Sequence, residues 1–473
     1  MSSNQTQLYQ SRIPIYPRSV SGRYRTIKYV ILFVAYSTYF LLPWIGWQRI
    51  NGPDQAVLFD ILERRFYIFD LTVYAQDIFW LAGFLIIAAF LLFFVTGIAG
   101  RVFCGYFCFQ TLWTDVFLLI ERLVQGDRNA RMKLAKSSWG GKKFIQMGLT
   151  WFLWLSVAFW TGFSFTLYWG ESTTLFHQFF LGQAPFPAYA TTLFLTLTTF
   201  VMAGLAREQV CTYMCPYARF QGAMFDEDTL IVSYDDKRGE RSCGRCKPDK
   251  DNKAHDARVQ QGLGDCIDCG YCVQVCPVGI DIRNGLQYQC ISCALCIDAC
   301  NTIMSAINYP KGLIRYTSQR QQSGLKHRIL KLKNIGYGAA LIIVTSLLIW
   351  SIVNRSTTEM SVQQIRQPLY VQLSDGSIQN RYIVKVTNKL DVQVKYKLTL
   401  DVAQGYSYEY SPSADLVLPA GKSAQVQLIV RAHSEDKSSI QDDLLIGLTY
   451  EEEGQQKHLA RKSSFYFPEA MHH

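Results

Sequence analysis

The residues best suited to chemistry are the 14 cysteines, all of which fall between Cys104 and Cys300. Eight of them form two runs, Cys266-x2-Cys269-x2-Cys272-x3-Cys276-Pro277 and Cys290-x2-Cys293-x2-Cys296-x3-Cys300. This is the spacing of bacterial two-cluster ferredoxins. Three closely spaced thiolates wrap one corner of a [4Fe–4S] cube, and the fourth cysteine of each run reaches the other cube. The spacing therefore assigns Cys266, Cys269, Cys272 and Cys300 to cluster one. Cys276, Cys290, Cys293 and Cys296 fall to cluster two. Asn301 stands where the first run has Pro277, which leaves the ligands intact. Zinc or purely structural thiols are the plain alternative, and two consecutive four-cysteine runs argue against it. Linked clusters move electrons and need bind no substrate.

Four further cysteines form two matched pairs, Cys104-x3-Cys108 and Cys211-x3-Cys215-Pro216. On a helix this spacing puts both sulfurs of a pair on one face. Each pair follows an apolar span, at equivalent ends, so the four thiols can converge beneath the cluster module. Thiolates select soft ions such as Cu(I), or iron–sulfur clusters. A reversible disulfide is a third option, and small buried side chains packing as hydrophobes are the ordinary one. Cys243-x2-Cys246 lies in a Lys- and Gly-rich linker, where it can bind a metal, act as a thiol switch or do neither. Met202, Met214 and Met224 lie near the helix-end cysteines, but packing is the usual role of such methionines. His177 and Glu171 lie in an outer loop, and Asp77 opens the second span near an interface where an acid can stay solvated; none carries a specific signal.

These residues need a membrane scaffold. Charged residues are 18% of the chain and aromatics 14%, and the charged share is below that of an average soluble domain. Five segments have the roughly 20 apolar residues that a spanning helix needs: about Tyr29–Trp47, Ile78–Ala99, Phe144–Phe163, Ala190–Ala206 and Ile335–Val353. Lys and Arg crowd before the first, between the second and third and before the fifth, whereas residues 161–189 contain neither. Basic loops face the cytoplasm, so the N-terminus and every cysteine are expected inside and the C-terminus outside. The net charge of +10 then reads as topology and contact with anionic lipid, with no call for nucleic acid. After Cys300 no cysteine follows. Instead, runs such as Tyr382-Ile-Val-Lys-Val and Ala424-Gln-Val-Gln-Leu-Ile-Val alternate apolar and polar residues. Ser374-Asp-Gly and Pro419-Ala-Gly punctuate them, as in an antiparallel β-sandwich of immunoglobulin type.

The expected organisation is a multi-domain membrane protein. Residues 1–28 are a cytoplasmic segment. Residues 29–226 hold four spans and both Cys-x3-Cys motifs, and 227–317 are an α+β ferredoxin-like domain for two [4Fe–4S] clusters. Residues 318–354 are a linker and fifth span, and 355–473 a periplasmic all-β domain. No nucleotide-binding glycine motif is present, so electrons must come from a separate cytoplasmic donor.

Several long strings resemble the cytochrome c oxidase accessory protein family, the CcoG or FixG type. They are Gln55-Ala-Val-Leu-Phe-Asp60 with Arg64-Arg-Phe-Tyr-Ile-Phe69, Cys104-Gly-Tyr-Phe-Cys108, Cys215-Pro-Tyr-Ala-Arg-Phe-Gln221, Asp228-Thr-Leu-Ile-Val-Ser-Tyr234, Leu373-Ser-Asp-Gly-Ser377 and the ferredoxin runs. The resemblance implies a bacterial inner-membrane protein that reduces Cu(II) to Cu(I) while a cbb3-type oxidase is assembled. Cys104, Cys108, Cys211 and Cys215 correspond to its catalytic motifs, binding copper or a third cluster. Oxidase subunits or copper chaperones are the implied partners. A quinol dehydrogenase-like subunit and a redox-sensing assembly scaffold are the rival readings.

Overall fold

The computed structural model describes residues 14–49, 52–74, 77–249, 253–390, 392–401, 406–433, 441–452 and 454–468. Helix α1 (Arg23–Leu41) is followed by a three-stranded meander, β1 (Val57–Asp60), β2 (Arg65–Ile68) and β3 (Leu71–Tyr74). The meander is built from the strings that carried the family resemblance. It rests on the helices, with Phe59 N–H donating to the Tyr168 carbonyl at 2.7 Å and Ser172 N–H to Gln55 Oε1 at 2.9 Å. Helices α2 (Phe79–Ala99), α3 (Val102–Tyr106), α4 (Phe109–Gln125), α5 (Arg128–Lys136), α6 (Gly141–Leu167), α7 (Ser172–Phe180) and α8 (Phe186–Thr199) complete the N-terminal bundle. Between α6 and α8 the backbones touch: a Cβ on Gly162 would lie 2.6 Å from the Thr192 carbonyl oxygen. Only glycine admits so close a crossing.

Among the described residues six helical stretches are long and apolar enough to cross a membrane. Five overlap the expected spans, most of them with shifted or longer ends: Arg23–Trp44, Phe79–Ala99, Gly141–Leu167, Phe186–Met214 and Leu332–Val353. The sixth, Val102–Gln125, was not expected. Its apolar window is 56% buried inside the protein, against 6–28% for the others. Both its ends are tied to the cluster-bearing side. Arg101 donates to the Cys290 carbonyl at 3.2 Å, and Asp127 after its far end accepts the Ser19 N–H at 3.1 Å. Ser19 in turn accepts from the Tyr271 hydroxyl at 2.8 Å. Both ends of the stretch therefore contact the cluster-bearing side. Its inward residues Gln110, Thr111, Asp115 and Glu121 are buried, which dilutes its hydropathy as a linear signal. Arg25 and Lys28 of α1 pair with Asp115 at 3.4 and 2.8 Å. Arg131 pairs with Glu121 at 2.8 Å, and Arg207 pairs with the same carboxylate.

Past α8 the chain continues in π-helical turns, Phe200–Ala206 and Val210–Met214, broken at Arg207 with φ 32°. A further unexpected point is Asp77, which is 5% exposed and thus buried rather than solvated. Strands β4 (Ile231–Tyr234) and β5 (Ile314–Thr317) pair antiparallel, Ile231 against Thr317, and close the two ends of the cluster domain. Within it, short helices Tyr271–Gln274 and Leu295–Ala306 follow the middle cysteine of each run.

The C-terminal unit is described by itself. Its strands are β6 (Thr358–Gln364), β7 (Val371–Gln372), β8 (Ser377–Asn388), β9 (Val394–Asp401), β10 (Tyr406–Ser411), β11 (Asp415–Leu418), β12 (Ser423–His433), β13 (Gln441–Glu452) and β14 (Gln455–Tyr466). They form two antiparallel sheets, β10-β12-β8-β6 with β7 beside β8, and β11-β9-β13-β14. Val394, Tyr396, Leu398 and Leu400 alternate inward along β9 and meet Val384, Val386, Val426 and Leu428 in one core. The Ser374-Asp-Gly and Pro419-Ala-Gly turns lie where expected, with Gly376 and Gly421 at φ 82° and 65°.

Candidate electron-transfer site

The two ferredoxin runs adopt the same local path. Asp268 and Gly270 flank Cys269 with φ 49° and 65°, and Ser292 and Ala294 flank Cys293 with φ 52° and 62°. Left-handed residues on both sides of the middle cysteine bend the backbone around a centre. Ala294 does this without glycine's freedom, so no residue type announced the turn. Cys266, Cys269, Cys272 and Cys300 line one small cavity, together with Tyr234, Arg283, Met304 and Ile314. Cys276, Cys290, Cys293 and Cys296 line a second, among Val232, Val278, Ile280 and Leu295. The fourth cysteine of each run thus joins the other run's cavity. Among the described residues no three His, Cys, Asp or Glu side chains close on one point as a single metal ion requires. The thiols ring a space instead of a point, which suits a cube and not zinc.

The thiol chemistry agrees. Burial pushes Cys272, Cys276 and Cys300 up to about 12 and Cys290 to about 11. Thiolates buried this deeply need a cationic partner, and iron supplies it. Next to cavity one, Arg283 is held by Asp281 at 2.7 Å and by Asp268 at 2.6 Å. Asn301, the departure from the first run's proline, accepts the Gly312 N–H at 3.0 Å and so fastens the loop before β5.

The two Cys-x3-Cys motifs are one structure made twice, though not the one expected. Neither pair lies on a single continuous helix. The N–H of Cys108 donates to Phe103 O at 3.0 Å and that of Cys215 to Val210 O at 2.8 Å, each five residues back. Each second cysteine then turns extended and caps a new helix, α4 for Cys108 and Pro216–Met224 for Cys215. The amides of Gln110 and Thr111 point at the Cys108 sulfur, as helix N-termini do toward anions. The four thiols are within electrostatic reach of one another. The new helix behind Cys215 delivers buried Gln221, whose Oε1 lies 3.2 Å from the Cys104 sulfur and 3.3 Å from Arg101 Nε. Gln221 thus joins the second motif to the first.

This thiol group abuts the second cluster loop. A Cβ on Gly105 would lie 2.7 Å from Ile291 O and 3.0 Å from the backbone N of Cys293. The Tyr106 hydroxyl donates to Cys293 O at 3.2 Å, and Cys104 packs against Val275, Ile291 and Cys293. Arg101 bonds the carbonyls of Cys290 and Tyr288. Gly105, Tyr106 and Gln221 appeared in the sequence only as members of strings, and Arg101 only among the basic residues between the second and third spans. Met202 contributes a carbonyl, accepting from Gln110 Nε2 at 2.8 Å. His177 lies in the last turn of α7 and Glu171 stands at its N-cap, accepting from the Thr174 hydroxyl at 2.9 Å.

A helical bundle of membrane-spanning character, two four-thiol cavities and four more thiols beside the second define a membrane-bound iron–sulfur redox protein. Residues 206–319 match the 4Fe-4S dicluster domain family, and residues 348–468 match the family of the Ig-like fold at the C-terminal of FixG. Protein RdxA of Cereibacter sphaeroides is 40% identical over 427 residues, 88% of each chain. Protein RdxB of the same organism is 40% identical over 450 residues, 91% of this chain and 92% of that one. The nitrogen fixation protein FixG of Rhizobium meliloti is 38% identical over 427 residues, 83% and 80% of the two chains. The chain belongs to the FixG family.

Proposed function

We propose that this protein reduces Cu(II) to Cu(I) at the four thiols Cys104, Cys108, Cys211 and Cys215, for copper delivery during assembly of a cbb3-type oxidase. The observation that carries the reading is the contact of Cys104-Gly105-Tyr106 with Ile291–Cys293, which leaves no room between the thiols and the second cluster loop. Clusters bound by the eight ferredoxin cysteines supply one-electron transfer. Gly105 lets the two backbones meet, Tyr106 and Arg101 hold the loop in place, and Gln221 fixes Cys104. The thiols favour the soft product ion Cu(I) over Cu(II). The cationic loops support a reading in which this apparatus lies on the cytoplasmic side of a bacterial inner membrane and the β-domain on the periplasmic side. Replacing Cys108 and Cys215 by alanine should leave iron and sulfide content unchanged and slow copper reduction by about tenfold or more. Unchanged copper reduction would sink the assignment.

A quinol-coupled reading has one observation of its own. A cavity beside Phe109, the residue after Cys108, is lined by Tyr39, Trp113, Thr161 and Leu195. Electron exchange with a quinone analogue, blocked by Trp113→Ala and indifferent to copper, would favour it.

A further inference from the structure

Cys243 and Cys246 serve neither cluster cavity nor the helix-end thiols. They are joined to each other as a disulfide, with Cα atoms 6.0 Å apart, within the usual range for such bonds. Gly244 between them has φ 64° and allows the tight turn. Cys243 is exposed and Cys246 half-buried, so one sulfur is open to attack and the other is sheltered.

The pair is wired to cluster one's loop by two arginines. Arg258 is fully buried, and its Nη2 donates to Cys246 O at 2.9 Å and to Cys266 O at 3.4 Å. One guanidinium nitrogen thus holds the carbonyls of a disulfide cysteine and a cluster-one ligand. Arg245, inside the motif, pairs with Glu240 and donates to Arg283 O at 3.0 Å; Arg283 lines cavity one. A structural staple has little place on this side of the membrane. In a reducing compartment, disulfides are usually transient and redox-active. That step rests on the cytoplasmic placement proposed above.

We propose that Cys243 and Cys246 form a reversible disulfide–dithiol couple that exchanges electrons with the cluster held by Cys266, Cys269, Cys272 and Cys300. In the reducing direction the S–S bond breaks and two electrons arrive singly from the cluster. Two protons come from water, leaving two thiols. The electrons originate in the same one-electron donor that serves the clusters. The couple is a two-electron store attached to one-electron carriers, at the end of the cluster pair away from the helix-end thiols.

The test is an anaerobic reductive titration of the full-length, cluster-loaded protein with dithionite. Iron and sulfide are assayed, and Cys243 and Cys246 are followed by alkylation and mass spectrometry. The wild type should take up about two more electron equivalents per chain than the Cys243→Ser, Cys246→Ser double variant at equal iron content. The Cys243–Cys246 peptide should become alkylated in step with the loss of oxidised-cluster absorbance. In Cys269→Ser, which removes a cluster-one ligand, that alkylation should lag. Equal electron uptake, or a bond that stays closed when both clusters are reduced, would overturn the proposal and leave a staple. Opening that proceeds as fast in Cys269→Ser would overturn the link to the cluster. Neither readout depends on copper, so failure here and failure of the copper reading are separable.

Discussion

At the scale of single residues the two motif classes were unequally readable. Cluster chemistry fixes the intervals between Cys266 and Cys300, so eight ligands and their exchange of fourth cysteines could be read as text. Gly105, Arg101 and Gln221 could not. Their partners lie 117 residues away for Cys104–Gln221 and 189 for Arg101–Cys290, and no local pattern records such a pairing. Gly105→Ala tests the contact directly. The added methyl must displace backbone, an overpacking cost of about 1–3 kcal/mol. The variant should retain its iron while pre-reduced protein passes electrons to added Cu(II) more slowly, as stopped-flow absorbance of the clusters will report. Asp281 gives a second test. The Arg283 side chain, the chief cause, holds its carboxyl below the ordinary 3.8. Its contribution to stability is present above pH 3.8 and fades as pH falls through the lower folded value. Asp281→Asn should therefore be less thermally stable than wild type at pH 7, and the difference should shrink below pH 3.8.

Among elements, regular helices and strands were legible and irregular ones were not. Apolar length gave five spans, and alternation gave the sandwich. The stretch α3–α4 was hidden by the polar residues that let it sit against charge inside the bundle. The Cys-x3-Cys pairs looked helical because i and i+4 share a face, but in each the second cysteine instead closes a wider turn and opens a new helix. Those turns need inner support. Glu121 holds Arg131, 2% exposed, and Arg207, the residue at the break in the span. Glu121→Ala leaves two guanidiniums without their carboxylate, and removing one partner of a buried ion pair costs about 3–5 kcal/mol. The variant should unfold at lower temperature in detergent and expose Cys211 to alkylation, whereas Glu121→Gln should be intermediate.

For the molecule as a whole, the division of labour follows cysteine placement. The β-unit has its own core of Tyr382, Val384, Leu398, Leu428, Ile446 and Phe465, and it contains no cysteine. Residues 355–473 made alone should fold without iron or oxidant and show a single cooperative melt. A chain ending at Val353 should keep its iron and its copper reduction. If oxidase assembly then fails in cells, the tail is a docking module, which is the scaffold reading confined to one domain.

The segment ahead of α1 carries a last consequence, for the order in which the protein is made. Arg18 N–H bonds Gln274 O at 2.8 Å, and Arg25 N–H bonds Asp298 at 2.8 Å across 273 residues of sequence. This segment is synthesised long before the loops around Cys272 and Cys296 and has no place to dock until they are made and shaped by iron. A nascent or iron-starved chain should be cut readily within residues 14–22, and the mature one, its backbone docked there, should be cut more slowly. Cleavage at this segment then becomes a measure, readable in whole cells, of how many molecules have received their clusters.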